Sequence, residues 1–342
     1  MTGFVGVKNM IRWLTAQGIA PTLTGMADAI EEDFRRWPVF NKTERVASHT
    51  PFGVMELMPI ADPDLYSFKY VNGHPLNPAR GYQTVTAFGV LANVHNGYPV
   101  FVAEMTILTA LRTAATSAMA ARALARTDST VMAMIGAGSQ SEFQAIAFRE
   151  ALGIRQLRIY DTDARAAEKF VGNLTPLGFD IQVCPSGKEA VRGADIITTC
   201  TADKTHATLL YSPDVSPGVH INAIGGDCPG KTELDPEILR RGTVFVEFEP
   251  QTRIEGEIQA LPETFPVTPL WKVLAGEAAG RTTENDITVF DSVGFAIEDY
   301  SALRYLYESV SGSPLCEEID LVADPDDPKD LFGFALAPIP VS

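Results

Sequence analysis

The densest chemical signal in the sequence is the turn Gly136-Ala137-Gly138-Ser139-Gln140-Ser141, which ends the apolar run VMAMI and opens SEFQAIAFREAL, a stretch with helical apolar spacing. Two glycines of a G-x-G-x-x-G pattern are present, and the small residue Ser141 takes the third place. Such a turn reverses tightly at Gly136, lets backbone approach a pyrophosphate at Gly138, and aims the free amides of the following helix at phosphate. Asp161 ends the next apolar run, LRIY, about 25 positions further on, where a carboxylate accepts hydrogen bonds from an adenosine ribose. A carboxylate there also repels a 2′-phosphate, so the pattern favours NAD over NADP. A glycine turn beside an ordinary helix N-cap is the competing explanation.

Other residue types invite chemistry one at a time. Asp227 follows Gly225-Gly226 at the end of the apolar run HINAI, the carboxyl edge at which parallel sheets bind ligands, and a carboxylate there can take a proton from a substrate amine. Before Pro229 it would equally cap a turn. Lys69 interrupts YSFKYV, either on the solvent side of a strand or as a cationic pocket wall. Glu56 in MELMP is, by alternation alone, an exposed strand residue, and Arg112 in the small-residue stretch LRTAATSAMAARALA is open to a surface ion pair. The histidines 49, 74, 95, 206 and 220 and cysteines 184, 200, 228 and 316 are scattered with no C-x-x-C pair, so no metal site is expected and the thiols suit a reducing compartment.

The elements that must position these groups fall into two patterns. From about residue 113 to 300, strand runs alternate with helical segments through IQVC, SGKEAVRGA, DIITTCT, HINAIGG and TVFVEF, the rhythm of a doubly wound parallel sheet. Residues 45–105 instead carry RVASH, GVMELMPI, YSFKYV, TVTAFGVL and YPVFVAEM between Gly, Pro and Asn turns, which predicts a mostly antiparallel sheet. The helical stretch IEDYSALRYLYESV has no strand after it and is expected to return to the amino-terminal domain. The expected fold is therefore α/β: a Rossmann-type domain over residues 113–304 and a mostly antiparallel α+β domain from 1–112 plus 305–342. The tail ADPDDPKDLFGFALAPIPVS is expected to be extended, and the first 40 residues carry no functional signal.

Composition excludes some partners. With 46% hydrophobic and 20% charged residues, the 342-residue chain has enough apolar material for a large core. Its net charge of -16 repels nucleic-acid phosphates and anionic lipid headgroups. No run is long enough to span a bilayer, and MTGFVGVKNMIRWL lacks the order of a signal peptide, so a cytoplasmic location is expected.

Several segments together, RVASH, MELMP, FKYVNGHPLNPARGYQTV, LTALRTAATS, GAGSQSEFQ, NAIGGDCPGKTEL, EGEIQ and FDSVG, resemble the ornithine cyclodeaminase and mu-crystallin family from about residue 40 to 330. The resemblance is closer to its bacterial ornithine enzymes than to its lysine cyclodeaminases, alanine dehydrogenases or ketimine reductases. It implies conversion of L-ornithine to L-proline and ammonia through bound NAD, with Asp227 moving a proton at the substrate amine and Glu56 steering the distal amine and water. It also implies that Arg45, Lys69 and Arg112 hold the α-carboxylate and that Val293 lies beside the substrate. Thr84, Arg112, Ser139, Gln140, Asp161, Thr201, Ile224, Lys231 and Ser292 match positions around NAD, with Gly136, Gly138, Gly225, Gly226 and Asp227 in the same set. A homodimer joined through the amino-terminal sheet is implied, which makes that domain the substrate-binding and dimerisation domain. The alternatives within the family are lysine cyclisation, imine reduction with external NAD(P)H, amino-acid dehydrogenation and a mu-crystallin-like binding protein.

Overall fold

The computed structural model describes residues 1–202 and 208–336; His206 and the last residues of the tail, 337–342, lie outside the described residues. The described chain builds two eight-stranded sheets. The first begins with β1 (Thr2–Val5), helices α1 (Val7–Gln17) and α2 (Ile19–Arg35), and the two-residue β2 (Asn41–Lys42). It continues as a meander of β3 (Val46–Thr50), β4 (Gly53–Ala61), β5 (Leu65–Gly73), β6 (Val85–Asn93) and β7 (Pro99–Glu104), every consecutive pair antiparallel. β1 adds to β7 in parallel.

Alternation along the long strands decides which side chains reach the interior. In β4, Val54, Glu56, Met58 and Ile60 point inward, and in β5 Ser67, Lys69 and Val71 do so. Glu56 and Lys69 thus sit on the buried face, not the solvent face that their polarity would suggest. Leu57, 44% exposed, takes the outward position instead.

α3 (Thr106–Leu124) then crosses to the second sheet. Its run of alanines keeps the helix thin, so it is buried along almost all its length and packs closely on α2. The second sheet contains β8 (Val131–Ile135), α4 (Ser141–Leu152), β9 (Gln156–Tyr160), α5 (Ala164–Leu174), β10 (Asp180–Val183), α6 (Gly187–Val191), β11 (Ile196–Thr199) and β12 (His220–Ala223). It is completed by α7 (Pro236–Arg241), β13 (Thr243–Val246), α8 (Glu249–Glu255), β14 (Thr268–Pro269), α9 (Leu270–Leu274) and β15 (Thr288–Asp291). All its strand pairs are parallel, in the order β10-β9-β8-β11-β12-β15-β13-β14. The order reverses between β8 and β11, which opens a crevice beyond their carboxyl ends.

From β15 the chain enters α10 (Ala296–Val310), which packs on α2, α3 and strands β4 to β6, and β16 (Glu317–Ile319) closes the first sheet against β1. The expected boundaries at 112/113 and 304/305 fall inside α3 and α10, continuous helices. The tail is not wholly extended as expected: Leu331–Leu336 forms a short helix, α11, with Leu331, Phe332 and Leu336 exposed. One hydrophobic cluster runs from α1 and α2 through α3 and α10 into β8 and β9, and a smaller one fills the other face of the parallel sheet. Among the described residues no helix is long and apolar enough to cross a membrane, and no group of His, Cys, Asp or Glu is arranged to hold a metal ion.

Candidate active site

A cleft of about 870 Å³ lies between the inner face of the first sheet and the carboxyl ends of the second. On its parallel-sheet side it is lined by Gly136, Gly138, Ser139, Gln140, Asp161, Thr201, Ile224, Asp227, Lys231, Ser292 and Val293. Arg45, Glu56, Lys69, Thr84 and Arg112 line the opposite side. Residues far apart in sequence thus meet in one space. Gly225 and Gly226 do not line it; they carry the backbone that presents Asp227.

The parallel-sheet side fits a dinucleotide. Gly136 has φ +105°, a region that disfavours other residues, and a Cβ there would lie 2.9 Å from the Cys200 carbonyl oxygen. A Cβ at Gly138 would meet no atom of the described residues within 4 Å, so this backbone is open to close approach. Among the described residues the N-terminus of α4 has no side-chain cap, and Gln140 Oε1 beside it is buried without a hydrogen-bond partner. Ser141 Oγ donates to Gly138 O at 2.7 Å and fills the third glycine position. Asp161 accepts from the Ala137 and Asp163 amides at 2.7 and 2.8 Å, which fixes its carboxylate at the end of β9, half-buried in the cleft. Lys231 Nζ donates to the Thr201 carbonyl at 2.8 Å and lies 3.6 Å from Asp227, whose side chain is 55% exposed.

Across the cleft, three buried cations are held by buried acids. Lys69 Nζ donates to Asp299 at 2.8 Å, and Arg112 pairs with Glu298 and, through Nε, with Asp299 at 3.0 Å. Burial and the neighbouring Arg112 charge push the Lys69 pKa down to about 8 despite Asp299. Arg45 contacts both Glu56 oxygens at 3.3 Å and Glu255 at 3.0 Å, and Nη2 donates to the carbonyls of Val293 and Gly294 at 2.5 and 2.8 Å. Burial opposes the Arg45 charge, but Glu56, Glu255 and Asp227 outweigh it and raise its pKa. Arg45 therefore aims Glu56 and fastens the Val293 turn, a geometric part beyond the carboxylate binding expected of it.

The sequence reading missed Glu298, Asp299, Glu247 and Glu255. Glu247 accepts from Ser292 Oγ at 2.5 Å and from the Val293 and Gly294 amides at 3.3 and 3.2 Å; burial, with Glu298 nearby, pushes it up to about 8. Burial also lifts Glu255 to about 7 against the pull of Arg45. One signal was available: three cations drawn into one closed site demand buried counter-charges, and the Glu-Asp pair opening α10 is a candidate.

The ornithine cyclodeaminase/mu-crystallin family model matches residues 7–314. A protein of Agrobacterium tumefaciens (strain Ach5) named ornithine cyclodeaminase is 59% identical over 333 residues, 97% of this chain and 94% of that protein. A lysine cyclodeaminase structure, described for recognition of L-lysine, L-ornithine and L-2,4-diaminobutyric acid, superposes with TM-score 0.90 at 29% identity, covering 97% and 99% of the two chains. An archaeal alanine dehydrogenase, solved as a dimer with bound NAD, gives TM-score 0.83 at 32% identity over 90% and 96%. The chain belongs to the ornithine cyclodeaminase/mu-crystallin family.

Proposed function

We propose that this member of the family is an NAD-dependent ornithine cyclodeaminase that converts L-ornithine to L-proline and ammonia in the cytoplasm. The observation that carries the reading is the meeting of two carboxylates, Asp227 and Glu56, with three buried cations in the same cleft as the dinucleotide turn. The 59% identical ornithine cyclodeaminase supports the choice of substrate.

Bound NAD supplies a hydride acceptor that becomes the donor later in the same turnover, so net redox is zero. The amides after Gly138, with Gln140, Asp161, Thr201 and Lys231, would hold it. Lys69 has three N–H donors and spends one on Asp299; with Arg112 it fixes the substrate α-carboxylate and so the face that Cα presents. Arg45 contributes from the Glu56 side. Asp227 accepts a proton from the α-ammonium, which an amine must lose before Cα can release hydride. Glu56 takes a proton from the distal ammonium, freeing the δ-nitrogen to attack the imine carbon. A five-membered ring forms, the α-nitrogen takes a proton back, its bond to Cα breaks and it leaves as ammonia. The cyclic imine that remains receives the hydride at the same carbon to give proline.

A homodimer is part of the proposal. Val46, Leu57, Tyr70 and Phe88 stand in register across β3 to β6 on the outer face of the first sheet, with Val46 60% and Phe88 44% exposed. An apolar stripe of this kind suits a self-complementary two-fold contact.

The test is incubation with L-ornithine, L-lysine or L-alanine and sub-stoichiometric NAD, following ammonia and cyclic product by mass spectrometry and NADH by absorbance. Many turnovers of ornithine per NAD without NADH build-up are expected. Accumulating NADH, or pipecolate from lysine in preference to proline, would reject the assignment.

A further inference from the structure

The segment EGEIQ, Glu255 to Gln259, lines no part of the cleft except through Glu255's hold on Arg45, yet it grips the loop that carries Asp227. Gln259 Nε2 faces the carbonyls of Gly256, Lys231 and Cys228 at 2.8, 3.0 and 3.3 Å, and its Oε1 accepts from the Gly230 amide at 2.7 Å. Two residues earlier, the Glu257 carboxylate accepts from the amides of Glu233 and Leu234 at 2.8 and 3.0 Å. The grip is itself anchored, because Asp291 at the end of β15 accepts from the Glu257 and Ile258 amides, both at 2.9 Å.

The glycines before Asp227 belong to the same arrangement. A Cβ at Gly226 would stand 2.6 Å from Glu257 Oε1, and one at Gly225 would run into the Glu233 carboxyl. The turn can settle onto these two carboxyls because it has no side chains there. Asp227 itself is half out in the cleft with a long ion pair to Lys231, so its own contacts hold it weakly and the backbone around it must set its place.

We propose that Gln259 is a positioning residue that sets Asp227 in the cleft by tying down the Cys228–Lys231 turn. The inference rests on the reading of Asp227 as the proton-accepting group. Every hydrogen bond that the Gln259 side chain makes among the described residues goes to backbone, so it governs where the turn lies from outside the cleft lining. Displacement of a catalytic group by about 1 Å costs on the order of 100-fold in rate.

The experiment compares wild type with Gln259→Met and Gln259→Glu; the second keeps an acceptor for Gly230 but turns a carboxylate toward carbonyls. Steady-state kinetics with L-ornithine are expected to show kcat lowered by about 10- to 100-fold with KM within about twofold. Hydrogen exchange of the peptide 226–234, measured without substrate, is expected to quicken by about tenfold while β8 to β12 stay protected. In an Asp227→Asn background, Gln259→Met should change the remaining rate by less than about twofold, because the group it positions is gone. An undiminished kcat, unchanged exchange in a variant that folds, or a full further loss on top of Asp227→Asn would overturn the proposal. A wild-type protein inactive on ornithine would remove the functional reading instead, and the exchange rates would still decide whether Gln259 holds the turn.

Discussion

At the scale of single residues, the cleft is governed by how charge is compensated away from water. Lys69 is sealed among Asp299, Arg112 and the sheet, and its pKa of about 8 places its charge change inside the working pH range. A lysine deprotonated above that point binds a carboxylate poorly, so kcat/KM for ornithine is expected to fall above about pH 8. Lys69→Arg should remove that limb and leave the ionisations of the substrate; an identical profile in the variant would disprove the assignment. Stability follows a definite sign: between about 8 and the ordinary lysine value of 10.5 the unfolded chain binds a proton that the folded chain has released, so this lysine's contribution rises with pH across that window. Asp227→Ala should lower turnover by about 100- to 10,000-fold while NAD affinity, read by fluorescence titration, stays within about threefold; activity close to wild type would remove the central acid. Asp227 and Lys69 were legible because each breaks a local pattern, one by following two glycines and the other by interrupting an apolar run. Glu298 and Asp299 were not, because residues 296–303 are buried all round and no helical phase marks a polar face.

At the scale of elements, the strand–turn–helix at Gly136 and the run of parallel strands after it were readable from apolar periodicity. What periodicity does not provide is phase. Strands β4 and β5 alternate as expected, but Glu56 and Lys69 fall on the inner face because the helices α10 and α3 cover that side, and only a tertiary partner determines this. The same limit applies to Gly225 and Gly226, where periodicity does not show that the lack of side chains lets the turn rest on Glu233 and Glu257. Gly225→Ala sets a methyl group against the Glu233 carboxyl. A loss of about 1–3 kcal/mol in urea unfolding is expected together with reduced kcat, whereas unchanged stability would show that the turn has room to move.

At the scale of the whole molecule, the net charge of -16 and the apolar outer face of the first sheet have to be reconciled. An acidic surface keeps copies apart except where charge is absent, and the Val46, Leu57, Tyr70 and Phe88 stripe is such a place; Tyr70 and Phe88 already stack at 5.3 Å. Phe88→Asp is expected to convert a species of twice the 37.0 kDa chain mass into one of that mass in light scattering. A wild-type protein that is monomeric would refute the dimer. The resemblance in the sequence implied a dimer through the amino-terminal sheet, but the apolar stripe that suits such a contact is visible only when four strands are set in register.

The cyclisation itself is tested most directly with L-ornithine carrying deuterium at Cα and a trace of NAD. Because the hydride removed from Cα is returned to the same carbon in each turnover, proline should retain the deuterium through many turnovers per NAD, with one ammonia released per proline. Proline without the label, or deuterated NADH accumulating in step with ornithine consumed, would contradict an internally balanced cyclodeamination.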